Sequence, residues 1–156
     1  MGRGKAVRLV LALSMLLLPT KEIRYFPSIL YGHILAGPGT SKYETVFTVS
    51  AKTEARATLH LFGDKGERIE ASFVDELGKP ASTGHSFEFY MTPERPVTIR
   101  LTLMPDQTAN DVVVMTGWAT VESSDDIDVV AVVRITTPEG QLINRHVIAS
   151  EKPPFG

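Results

Sequence analysis

ARATLHLFGDKG, residues 55–66, alternates apolar and polar side chains and then stops at a turn bounded by glycines. Ala55, Ala57, Leu59 and Leu61 fall on one phase, Arg56, Thr58 and His60 on the other. A period of two is the mark of a strand with one buried face, and Gly63-Asp64-Lys65-Gly66 reads as a tight hairpin. The same alternation spreads outward from this stretch. Ile69, Ala71 and Phe73 share a phase, as do Phe87, Phe89 and Met91, and Val97, Ile99, Leu101 and Leu103. Residues 112–115 and 129–133 are apolar on both phases and read as central strands covered on both sides. Pro138-Glu139-Gly140 is a turn, Ser123-Ser124-Asp125-Asp126 a polar corner, and 36–41 and 77–84 are loops. Beyond the first twenty residues, no window carries a 3.6-residue apolar stripe with caps. Leu59, Phe89, Leu101 and Ala131 are expected in the core.

About eight short strands at near-regular spacing predict an all-β chain, an antiparallel β-sandwich of immunoglobulin-like architecture. The chain has 156 residues, enough for one domain. With 43% hydrophobic and 22% charged residues it is neither disordered nor a membrane bundle. Lys and Arg number 16 against 18 Asp and Glu, so there is no basic field to draw in nucleic acid. Cysteine is absent, which excludes disulfides, thiolate metal sites and cysteine nucleophiles.

The N-terminus stands apart. Arg3, Lys5 and Arg8 precede residues 9–18, LVLALSMLLL, and Pro19 ends the run. A basic start followed by a short apolar core is the layout of a secretory signal, too short to span a bilayer comfortably. The stretch 17–21 lacks the small-x-small pattern of a cleavage site, so an uncleaved hydrophobic helix is the alternative. The expected organisation is a leader over 1–20, a β-sandwich domain over 21–150 and a tail over 151–156. Three of the 16 basic residues lie in the leader, leaving 13 against 18 acidic ones and a mature charge of −5.

Chemistry is hard to find. His33, His60, His85 and His146 show no i, i+2 or i, i+4 spacing for a metal, and His60 lies on the polar phase of its strand. Asp125, Asp126 and Asp128 lack the glycine turn and the continuing oxygen ligands of a calcium loop, and read as a solvated turn. Ser82 and Ser86 beside His85 have no nucleophile elbow. Gly37-Pro38-Gly39-Thr40 lacks the lysine of a phosphate loop. Asp75 and Glu76 are strand neighbours that point to opposite faces and cannot flank one bond. Tyr25, Phe26, Tyr31, Tyr43 and Tyr90 could form a platform for sugar rings or an extended peptide, while Phe47, Phe62, Phe73, Phe87 and Phe89 fit the core. Trp118, after Gly117 within a strand, reads as a core anchor rather than a ligand stacker.

Gly117-Trp118-Ala119-Thr120-Val121-Glu122-Ser123, with Phe26-Pro27, Thr45-Val46-Phe47 and 59–66 upstream, resembles a family of bacterial exported β-sandwich domains of unknown function. That family opens on F-P, has a strand ending near aromatic-Asp-x-x-Gly, and carries a later G-W-A-x-V-x-S strand. The likeness spans residues 24–148. It departs at Val49-Ser50, where the family has Asn-Pro, and at Pro93-Glu94-Arg95, where it has Pro-Gly-Gly. The resemblance implies a fold and no functional residue.

The expectation is an exported, non-enzymatic β-sandwich with a structural or adhesive role at the cell surface or in the periplasm. It has no catalytic, metal or cofactor residue, and its partners are other cell-surface or secreted proteins. The membrane is met only through the N-terminal segment if it stays uncleaved. The alternative is a carbohydrate- or protein-binding module using exposed aromatics or a sheet edge.

Overall fold

The structure, a computed structural model, describes residues 22–36, 39–108 and 110–150, with the side chains of 36 and 143–146 left aside. The expected leader over 1–20 and tail over 151–156 lie outside the described residues. Ten strands follow one another: β1 Glu22–Ala36, β2 Gly39–Ala51, β3 Ala55–Gly63, β4 Ala71–Val74, β5 Pro80–Gly84, β6 Ser86–Met91, β7 Val97–Thr102, β8 Val112–Ser123, β9 Ile127–Thr136 and β10 Leu142–Ile148. Among the described residues there is no α-helix, only a 3₁₀ turn at Pro105–Gln107.

The all-β reading holds, with ten strands in place of about eight. Part of the difference is β5, whose sequence PASTG has no apolar alternation and reads as loop. It is a strand because β4 offers it a ladder, and its proline sits at the first position, where a missing N–H is tolerated.

All pairings are antiparallel and join the strands into one sheet, in the order β5-β4-β7-β2-β1-β8-β3-β6. β9 pairs with β2, and β10 lies beyond β9. This sheet is nearly closed into a barrel. Its two ends belong to one run of chain, for β5 passes into β6 through Gly84 and His85. Gly84 has φ 138°, a conformation that side chains disfavour, which lets the strand turn the corner. The His85 carbonyl accepts the Leu61 N–H at 2.9 Å just beyond it.

A second device opens the sheet on the other side. β1 and β2 pair only from Gly32 to Ala36 and Gly39 to Tyr43, and then diverge. From Thr45 onward β2 pairs with β7 instead. The buried Thr45 hydroxyl stands at the fork, donating to the Leu30 carbonyl at 2.8 Å and accepting the Leu30 N–H at 2.9 Å. It replaces the ladder bonds that Leu30 loses as the strands part, which a buried backbone requires.

The core lies where the alternation places it. Leu59, Leu101 and Ala131 are fully buried and Phe89 nearly so. Along β3 the apolar phase is buried and the polar phase is not. Phe26 and Phe47 meet edge to face at 5.3 Å between centroids, and Phe73 stacks on Phe87 at 5.2 Å. The run at 112–115 corrects the expectation of double coverage. Val112 is 61% exposed, because β8 there extends past β3, whose pairing starts at Gly117. In the run 129–133, Val130 is 52% exposed although β9 is paired on both edges.

Tyr31 also lies in this core. Its hydroxyl donates to the Glu70 carbonyl at 2.6 Å. Burial, helped by the nearby Glu70 charge, pushes its pKa above the ordinary phenol value. The folded state therefore holds this proton more tightly than the unfolded chain does. The associated stability is present below about pH 10 and is lost as the pH rises above that value. Tyr31→Phe should flatten the alkaline fall in stability followed by urea titration between pH 9 and 11, at the loss of one hydrogen bond.

Candidate functional site

Two outward-facing surfaces collect the side chains that chemistry would use. The first is the outer face of β1, β8 and β3. Gly117, Ala119 and Val121 of β8 are buried, so Trp118, Thr120 and Glu122 point the other way. Trp118 is half-buried on that outer face, which corrects the expectation of a core anchor. The reason is phase: small Ala119 holds the interior position, and a strand gives only one face to each alternate residue. Phe62, expected inside, stands opposite Trp118 in the register and is also half-buried and outward.

The rings form a row. Trp118 stacks on Phe62 at 4.1 Å and 16°, and Tyr25 meets it at 5.4 Å and 64°. Beyond Phe62 lies His60, whose Nε2 is 3.3 Å from Glu122 Oε2. The neighbouring backbone fits this row closely. A Cβ on Gly117 would collide with the Phe62 carbonyl oxygen, so β8 and β3 approach here only because of the glycine. Phe26 pairs with Ala119 and Ile29 with Gly117, which leaves Pro27 and Ser28 both opposite Trp118. That β-bulge accommodates a proline within a strand. Thr116 Oγ1 donates to Asp64 Oδ2 at 2.7 Å, tying the 63–66 turn to β8. The motif residues Phe26-Pro27, Phe62-Gly63 and Gly117-Trp118 thus meet in one place.

As a platform this row is poor. One face of the Trp118 indole is covered by Phe62 and Tyr25 packs against it edge-on. A cross-strand aromatic pair of this kind stabilises a sheet. The other expected platform residues do not join it. Phe26 and Tyr31 are buried. Tyr43 lines a cleft elsewhere, and Tyr90 is exposed on β6, where a hydrogen bond to Glu54 raises its phenol pKa.

The second surface is a cleft of about 460 Å³ on the outer side of β2, β7 and β4. Its lining includes Lys42, Glu44, Ser72, Arg100 and Thr102, with Gly78 from the turn before β5, Pro80 at the start of β5, Leu103 just after β7 and Pro105 at the start of the 3₁₀ turn. Arg100 Nε and Nη2 each donate to a Glu44 carboxylate oxygen at 2.8 Å. The pair is partly buried, with side chains 25% and 13% exposed. These hydrogen bonds raise the Arg100 pKa further, against the opposing effect of burial. Sequence reasoning missed this pair. Its only trace is that both residues occupy polar phases, and the register makes them diagonal neighbours, since Val46 faces Arg100.

The remaining candidates are scattered. His33 lines the same cleft, its Nε2 2.9 Å from the Asn110 carbonyl, while His85 sits at the β5–β6 corner. The His146 side chain is outside the described residues. Asp75 Oδ1 accepts the N–H groups of Leu77 and Lys79 and so builds a turn. Asp125 receives the Ser124 hydroxyl at 3.1 Å within the polar corner. Among the described residues no three His, Asp or Glu side chains group as a metal site would require. Comparison with protein-family models, with curated proteins and with solved structures returns no match.

Proposed function

We propose that the chain is an exported, non-enzymatic β module with a structural or adhesive role at the cell surface or in the periplasm. The observation that carries this reading is how the ionisable groups meet. Glu44 and Arg100 hold each other bidentately, and His60 faces Glu122. The Glu44–Arg100 pair in particular suits positioning and recognition better than proton transfer, because a guanidinium does not give up its proton and holds the carboxylate ionised.

The immunoglobulin-like sandwich belongs to the same proposal. The strands fall into two runs, β10-β9-β2-β7-β4-β5 and β1-β8-β3-β6. Phe26 against Phe47 and Phe73 against Phe87 join those runs through the core, as facing layers would. Export rests on the 1–20 leader, and fusing residues 1–25 to a reporter active only outside the cytoplasm should give signal.

The role is tested by sedimenting the purified full chain with washed envelope fragments of its source cells and assaying the supernatant. Retention without released sugars or peptides is expected. Failure to co-sediment, or release that grows with protein concentration, would overturn the reading. The binding-module alternative is favoured at the polar cleft rather than at the aromatic row, because Trp118 lacks a free ring face toward Phe62.

A further inference from the structure

The cleft over β2, β7 and β4 has properties that narrow what it can hold. At about 460 Å³ it falls in the range of small-molecule sites, roughly 300–1,000 Å³. Both signs of charge meet there. Lys42 and Arg100 line it with Glu44, and Asp75, outside the lining, acts on Arg100 as a second anion. An anionic ligand would have to compete with Glu44 for the guanidinium, and a cationic one would meet Lys42 and Arg100. An apolar ligand would strip water from Ser72, Thr102 and the ion pair without replacing those hydrogen bonds, which is unfavourable.

The ion pair also leaves bonding capacity unused, and both of its residues line the cleft. A guanidinium has about five N–H donors and a carboxylate about four acceptor sites. The pair uses two of each, through Nε and Nη2 on one side and both oxygens on the other. The rest are fixed donors and acceptors side by side, which is what adjacent hydroxyls on a ring require. The Ser72 hydroxyl and the Thr102 hydroxyl, which donates to the Ser72 carbonyl at 3.5 Å and keeps its acceptor sites, line the same cleft, as does Tyr43.

We propose that this cleft binds a neutral, polyhydroxylated ligand of the saccharide class, oriented by the Glu44–Arg100 pair. The proposal rests on the binding side of the reading above and names its ligand class. It is distinct from a sugar stacked on aromatic rings, since hydrogen bonding does the selecting here.

The test follows backbone amide shifts of the ¹⁵N-labelled full chain titrated with maltose, cellobiose and trehalose, and separately with inorganic phosphate. At least one disaccharide should give saturable shifts at Ser72, Gly78 and Thr102. Joint replacement Glu44→Gln and Arg100→Gln should weaken that binding by about tenfold or more, the scale of losing charge-assisted hydrogen bonds. If the double variant fails to fold, Ser72→Ala with a native spectrum should weaken binding about threefold or more, the loss of one hydrogen bond. Saturable shifts with phosphate alone, or with no member of the panel, would overturn the proposal. Shifts confined to Tyr25, Phe62 and Trp118 would overturn this site while leaving a binding module. Cleft shifts accompanied by hydrolysis of the disaccharide would keep the site and overturn the non-enzymatic reading.

Discussion

Phe47→Ala is expected to lower unfolding free energy by roughly 3–5 kcal/mol, the range for deleting a buried aromatic ring. Phe47 is fully buried and packs edge-on against Phe26. It also lies on β2, the strand that pairs with β1, β7 and β9. A cavity there removes contacts on which both runs of the sheet depend. A domain this size holds about 5–15 kcal/mol in all, so the loss is a large share. Thr48, next in sequence, is exposed on the opposite face, and Thr48→Ala should stay within about 0.5 kcal/mol. Urea midpoints at constant m-value compare the two. Equal losses would mean that the phase of β2 is wrong.

Gly117→Ala is the second large effect, and it comes from adding an atom. The new methyl would press on the Phe62 carbonyl and the Gly63 backbone, neither of which can rotate away. Overpacking costs about 1–3 kcal/mol where side chains can yield, and a backbone obstacle puts this site at about 3 kcal/mol. The damage should be local as well. Amide exchange should quicken from Leu61 to Gly63 and from Gly117 to Ala119, where β3 and β8 pair. A variant of wild-type stability with unchanged exchange would remove the close approach of these strands.

Periodicity made most of the strands legible. The phases of β3, β6 and β7 follow directly from residues such as Leu59, Phe89 and Leu101, because burial on one face leaves a period of two in the sequence. The turns at 63–66 and 138–140 are legible where that alternation breaks at glycines, and the N–H groups of Gly66 and Gly140 close them onto the Gly63 and Thr137 carbonyls. β5 was hidden because an edge strand of small polar residues has no apolar face to display. Trp118 was misplaced because size and hydrophobicity suggested a core. Phase decided against it, and only the burial of Ala119 and Val121 reveals which phase faces inward. The Glu44–Arg100 pair could not be seen at all, since 56 residues separate its members and only the β2–β7 register brings them together.

Trp118 stands on the outer face, held by Phe62 and Tyr25, instead of anchoring the interior. Iodide quenching of its fluorescence tests this most directly, as it is the only tryptophan in the chain. The native full chain should quench partially, between a buried and a free indole, and Phe62→Ala should increase the quenching by uncovering one ring face. A blue-shifted emission that iodide does not reach, unchanged in Phe62→Ala, would contradict the account and return Trp118 to the core.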